Sequence, residues 1–202
     1  EHRLICGDCT DKAVVERVMG GEVAGAVVTD PPYGMNYISD AGGKVLNDRL
    51  RDFMRLLVGM PEAFLLVGAE RIAVFTRWDI WHKVLGVFEN LYPPCNMFVW
   101  DKHNHSTGNM NHFGQSHELA YVSAPSNWVM KVDGKRPLSV VRAEITQGVN
   151  RLHPTEKSVE IIDYLVQAMS SAESPIVYDP FLGSGTTLIA CERLGRKCRA
   201  VE

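Results

Sequence analysis

The sequence is notable first for what it lacks. No apolar run reaches the ~18 residues that read as a membrane-spanning helix, so no membrane span is expected. It has no excess of positive charge: the net charge is −3, so any grip on nucleic acid must come from a local basic patch. Its five cysteines are too few for a disulfide scaffold in 202 residues. They point to reduced thiols and a cytoplasmic address. One C-x-x-C, Cys6 to Cys9, has no second pair to complete a zinc site, and no helix clearly begins at Cys6. The first residues, "EHRLICGDCT", show no cleavable signal pattern. The chain opens mid-strand and closes on "KCRAVE", which reads as trimmed at both ends. It carries no internal repeat and no low-complexity tract.

What is present suits one globular domain over 1–202, with 46% hydrophobic residues to fill a core. Apolar runs predict strands at 3–6, 24–29, 70–76, 95–100, 118–123, 175–179 and 197–202. Helical patterns fit 10–19, 48–59, 78–90, 158–170 and 184–194. That alternation predicts an α/β fold with a mostly parallel sheet. Segment 34–47, with Gly34, Gly42 and Gly43, reads as a loop, and the polar stretch 124–152 as an insertion.

Two strand ends carry the chemistry. "VVTDPPYG", 27–34, begins as a buried strand and ends in an acid, two prolines and an aromatic. Pro31 and Pro32 cannot donate to a ladder, so the strand stops and holds out Asp30, a stiff carbonyl and Tyr33. In "YDPFLGSGTT", 178–187, a strand ends at Asp179, and Gly183 and Gly185 lead into a helix. Glycines there let a ligand approach the backbone, and free N–H groups at the helix start favour a carboxylate or similar group. No Lys precedes Thr186 or Thr187, so this is not a P-loop. Glu202 ends the next strand, where an acid can hold two ribose hydroxyls or simply be solvated. Asp8 ends the first strand beside any ligand at that edge. "LHPTEKS", 152–158, precedes an amphipathic helix, where Thr155 or Ser158 could serve only as a cap.

Two further segments invite a function. His103, His105, His112 and His117 suggest a metal, but they lie in a Gly- and Asn-rich loop rather than a firm frame, and no metal is expected. Between 131 and 151, Lys131, Lys135, Arg136, Arg142 and Arg151 outnumber Asp133 and Glu144. That local excess is either a solvated face or a phosphate-contacting patch.

"DPPYG", "HPTEKS" and "DPFLGSGTT", in that order, resemble the β-class DNA amino-methyltransferases, which transfer a methyl group from S-adenosylmethionine to N6 of adenine or N4 of cytosine. "GDC" at 7–9 and "HE" at 117–118 also look like family positions, and "KVLNDRL" is similar to compact, phage-like members. Ser158 stands where the family often has proline, and 124–152 is short for a target-recognition region. The resemblance implies a Rossmann-like methyltransferase fold, a seven-stranded sheet with one antiparallel strand near its edge, in circularly permuted motif order. It implies that Asp30, Pro31, Pro32 and Tyr33 are catalytic. The cofactor would be lined by Asp30, Asp179, Phe181, Gly183, Ser184, Gly185 and Thr186, with Thr155 and Lys157 completing the methionine end. Glu202 would take the ribose, and Asp8 with Cys9 would border the adenine.

The implied partner is double-stranded DNA, with a homodimer left open and a restriction-modification setting. Asp30 at the first motif position favours adenine, because the cytosine enzymes of this family often carry Ser there. N4-cytosine, RNA, a protein glutamine amide, or a non-catalytic nucleic-acid-binding module remain as alternatives. The short insertion implies a short or degenerate recognition site.

Overall fold

The computed structural model describes residues 1–33, 50–103, 113–144 and 157–202. The elements are β1 (Arg3–Ile5), α1 (Lys12–Met19), β2 (Ala26–Thr29), α2 (Leu50–Leu66), β3 (Ile72–Thr76), α3 (Trp81–Phe88) and β4 (Asn96–Asp101). They continue with β5 (His117–Ser123), β6 (Val140–Arg142), α4 (Val159–Met169), β7 (Ile176–Asp179), α5 (Thr186–Arg193) and β8 (Lys197–Val201). The strands form one sheet in the order β1-β8-β7-β2-β3-β5-β4-β6. β5 runs antiparallel to both neighbours, and every other pairing is parallel.

The central strands are buried on both faces, as parallel strands covered by helices must be. In β2, Val27 faces a core with Val15, Leu57, Phe64, Val84 and Phe88, from α1, α2 and α3. Its neighbours Ala26 and Val28 face a second core with Ile161, Leu165 and Val166 of α4 and Ala190 of α5. β1 pairs with β8, so the first and last strands of the chain are sheet neighbours, as the permuted order requires.

Among the described residues the sheet has eight strands where seven were expected. The added strand, β6, lies inside the stretch expected to be an insertion. Three residues are too few to show a period, so only the open edge of β4 decides their state. Val99 N–H donates to Ser139 O at 2.7 Å, and Ala143 N–H to Asp101 O at 3.1 Å. Helix α2 also departs from expectation. It runs through Pro61 to Leu66 instead of stopping near 59. Proline breaks one helix bond, but Leu57, Met60 and Phe64 bury one continuous stripe across it.

The amino-terminal end of the sheet is closed by Arg71. Its Nε donates to Gly25 O and its Nη2 to Ser174 Oγ, both at 2.7 Å, and its guanidinium lies 3.7 Å over the Trp128 ring. A Cβ on Gly25 would stand 2.7 Å from Ser174 O and 2.9 Å from Arg71 Nη2. Gly25→Ala is therefore expected to destabilise the protein by about 1–3 kcal/mol, the usual cost of overpacking. Urea titration of the two proteins checks this through the shift in midpoint at constant slope.

Candidate active site

The chain leaves β7 toward β8 on one side and β2 toward β3 on the other, so β7 and β2 flank the point where the winding reverses. Open α/β sheets bind ligands at such a point, in the crevice outside the carboxyl ends of the strands. Asp179 ends β7 and Asp30 follows β2. The two ends are tied together by Thr29, whose hydroxyl donates to Asp179 Oδ1 at 2.7 Å. Asp179 also accepts Phe181 N–H at 3.1 Å. Burial pushes its carboxyl up to about 6, although these donors and the Thr187 hydroxyl pull the other way.

Around Asp30 the charges form a row. Lys157, just before α4, is buried and places its Nζ 2.6 Å from Asp30 Oδ2 and 2.8 Å from Glu118 Oε2. The Tyr33 hydroxyl donates to Asp30 Oδ1 and stands 3.2 Å from Lys157 Nζ. Lys102, just after β4, pairs with Glu118 Oε1. Burial raises the Asp30 carboxyl against the pull of Lys157. Burial would also raise Glu118, but Lys157 and Lys102 outweigh it and hold that carboxyl at about 2. A carboxylate fixed on both oxygens and aimed from a strand end is a preorganised acceptor.

The glycine turn lies across the crevice. Gly183 and Gly185 have φ of 54° and 88°, in the left-handed region, and a Cβ at either would meet no atom of the described residues within 4 Å. Gly185 caps α5 without a side-chain hydrogen bond. The Gly183 N–H donates to Glu202 Oε2 at 2.7 Å, so the acid that ends β8 holds the turn as well as its own strand end. Ser184 Oγ and Thr186 Oγ1 lie 3.1 Å apart at the helix start. Asp8 Oδ1 accepts both the N–H and the hydroxyl of Thr10, at 2.8 and 2.7 Å. Cys9 beside it is half-buried, and burial with Asp8 pushes its thiol up to about 12, far from a reactive thiolate.

The sequence profile of the DNA methylase family matches residues 25–202. The type II methyltransferase M2.LlaDCHI of Lactococcus lactis subsp. cremoris is 38% identical over 200 residues, covering 85% of this chain and 74% of that protein. The chain belongs to the DNA methylase family. The putative methylase YubD of Escherichia coli K12 is 27% identical over 205 residues, covering 99% of this chain and 84% of the relative. Among solved structures, the M1.HpyAVI–SAM complex has a TM-score of 0.75 at 19% identity, covering 100% of this chain and 93% of that one. The cytosine-N4-specific PvuII DNA methyltransferase has a TM-score of 0.73 at 13% identity, covering 98% and 80%. These two likenesses carry the fold.

Within the methylase, Asp30, Tyr33, Asp179, Gly183, Gly185 and Glu202 stand at one end of the sheet, as the two strand-end motifs imply. Pro31 is buried and Pro32 half-buried at the same corner. Lys157, expected at the methionine end of the cofactor, has its ammonium on Asp30 and Glu118. Thr155, Arg151, His105 and His112 lie outside the described residues. His103 is an exposed turn residue, and no group of potential metal ligands occurs among the described residues.

The basic segment does not form one patch. Lys131 and Lys135 flank a tight Asp133-Gly134 turn, in which Asp133 N–H donates to Gln167 Oε1 at the last turn of α4. The start of α4 is at Asp30, so this turn stands at the opposite end of the sheet. Arg142 ends β6 on the catalytic side, 2.9 Å from Asp101 Oδ2, while Arg136 is exposed. Much of the expected recognition insertion is sewn to the body. Trp128 Nε1 donates to Ala168 O at 2.9 Å, and Leu138 N–H to Tyr164 Oη at 2.5 Å.

Sequence reasoning passed over Lys102 altogether and noted Glu118 only as part of a motif. Lys102 sits in "DKHNH", where the histidines drew attention. The signal available was a Lys and a Glu at facing ends of two strands, but their pairing depends on the β4–β5 register, in which Asp101 faces His117.

Proposed function

We propose that this DNA methyltransferase, with S-adenosylmethionine as its methyl donor, acts on the N6 amine of adenine. The observation that carries the reading is a carboxylate at the first position of the proline corner, Asp30, bound by Lys157 on one oxygen and Tyr33 on the other. A hydroxyl residue there would favour N4 of cytosine, the second reading. The residues across the crevice fit the donor. Among the described residues, the space where Gly183 and Gly185 would carry side chains is open and α5 begins without a side-chain cap, and the Glu202 carboxylate stands beside that turn.

S-adenosylmethionine supplies an electrophilic methyl group when bound. The protein must make the amine a nucleophile, because the exocyclic nitrogen of adenine shares its lone pair with the ring. Asp30 accepts one of its N–H bonds and the Pro31 carbonyl the other, which draws the nitrogen toward sp³ and frees the lone pair. The same acceptors stabilise the positive charge that grows on nitrogen in the transition state. Tyr33 offers its ring to the adenine after rotation out of the duplex. Asp30 must be ionised for this, so activity rises with pH across its titration and is lost as pH falls through it. Asp179, with Thr29 and Phe181, fixes the spacing between the two motifs, on which in-line transfer depends.

Incubation with labelled S-adenosylmethionine and duplex DNA, followed by identification of the modified nucleoside, tests the reading. N6-methyladenine is expected; N4-methylcytosine would replace it with the second reading, and no labelled base would defeat both. Arg142 is the basic residue best placed to meet phosphate. Arg142→Gln is expected to weaken DNA binding across sequences and reduce the log-log salt slope by about one. Lys131→Gln with Lys135→Gln should leave the slope unchanged. Fluorescence anisotropy at several salt concentrations separates the two. We place the work in the cytoplasm, on cellular DNA; among the described residues no helix is long and apolar enough to cross a membrane. A homodimer would bring a second reader if the recognised site proves long.

A further inference from the structure

Two carboxylates compete for one buried ammonium at the centre of this site. Asp30 Oδ2 and Glu118 Oε2 lie 2.6 and 2.8 Å from Lys157 Nζ. One positive charge does not balance two negative ones, and carboxylates sharing a site drive a proton onto one of them. A second cation answers this. Lys102 pairs with the other oxygen of Glu118, and its ammonium lies 5.3 Å from the Trp100 ring centroid. Its backbone N–H donates to Ser116 O at 2.8 Å, which fixes the start of β5 beside it. The row Asp30, Lys157, Glu118, Lys102 alternates in sign and sums to zero.

We propose that Lys102 is a positioning residue: by neutralising Glu118 it leaves the charge of Lys157 to Asp30, and so keeps Asp30 the ionised acceptor of the target amine. This rests on the role given to Asp30 above. Among the described residues, the other groups facing Asp30 do not replace Lys102. Tyr33 donates a neutral hydroxyl, and Asp179, at the end of β7, adds negative charge. Arg77, after β3, acts on Tyr33 and is paired with Asp79 at 2.6 Å. Glu118 is held far below the usual carboxylate range while Asp30 lies above it, so a proton entering the row goes to Asp30 first.

The test is a set of charge variants read by their pH–kcat profiles. Lys102→Met keeps the length of the side chain and removes the charge. It is expected to move the acid limb up by about one pH unit, a tenfold loss of kcat on the acid side, with the KM for S-adenosylmethionine unchanged. Lys102→Arg is expected to keep the wild-type limb. The double variant Lys102→Met, Glu118→Gln is expected to recover it, because Asp30 and Lys157 are again a balanced pair. A merely structural lysine predicts the reverse, with losses that add. An unmoved limb in Lys102→Met, or a double variant worse than either single one, would overturn the proposal. If Lys102→Met does not fold, Lys102→Gln serves the same comparison. If the wild-type protein methylates no DNA, the functional reading fails separately. The effect of Lys102 on Asp30 is then read directly from ¹³C NMR titration of the Asp30 carboxyl, assigned with Asp30→Asn. The same upward shift in the Lys102 variant is expected, and a superimposable titration would refute it.

Discussion

Asp30→Ala is expected to lower methyl transfer by about 10²–10³-fold, the scale on which a preorganised partner of transition-state charge acts, while S-adenosylmethionine still binds within a few-fold of wild type. The two halves separate because Asp30 belongs to the amine side of the crevice. Its oxygens are held by Lys157 and Tyr33, whereas the open space by Gly183 and Gly185 lies across from them. Lys157 keeps Glu118 and the Tyr33 hydroxyl as partners in the variant, so the corner is not left with a bare ammonium. Calorimetry with the cofactor and a single-turnover transfer assay measure each half. Turnover close to that of the wild type would remove Asp30 from the catalytic role. Asp30→Asn should fall between the two, since it keeps an acceptor and loses the charge.

Gly183→Val is expected to weaken cofactor binding by about 100-fold or more, equivalent to roughly 3 kcal/mol. Two effects converge. A β-branched residue at a φ of 54° is strained, and its side chain would enter the space beside the turn, which the proposed function gives to the cofactor. Gly195→Val separates them. Gly195 has a φ of 64° and equally open surroundings, but it lies in the α5–β8 turn at the other end of the sheet. It should lose stability by a similar amount and keep its affinity for S-adenosylmethionine. Equal loss of affinity in both variants would mean that the glycine turn acts only through backbone strain. Thermal unfolding beside calorimetry distinguishes the outcomes.

The parts of this protein legible in one dimension are those whose cause is local. Pro31 and Pro32 end a strand wherever they occur, so the exit of Asp30 and Tyr33 from the sheet could be read from six letters. The left-handed backbone at Gly183 and Gly185 is equally local, since other residues avoid it. The alternation of strand and helix patterns was enough for the α/β class and for the position of the helices to within a few residues. It did not carry α2 through Pro61, where burial of a shared stripe outweighs a local breaker.

Register and proximity belong to the tertiary structure alone. Asp30 and Lys157 are separated by more than a hundred residues, and nothing local says that their charges meet at 2.6 Å. The pairing of Lys102 with Glu118 needs two strands aligned so that Asp101 faces His117; a shift of one residue would send one of the side chains to the other face of the sheet. The basic segment shows the same limit from the other side. Five cations close in sequence read as either a solvated face or one patch, yet the chain turns back at Asp133-Gly134 and carries Lys131 and Lys135 to the end of the sheet away from Arg142. The sequence by itself determined which residues stand at the ends of β2 and β7, because prolines and glycines act on their own backbone. Only the folded sheet decided which charges those residues meet, because a Coulomb interaction depends on distance in space and is indifferent to distance along the chain.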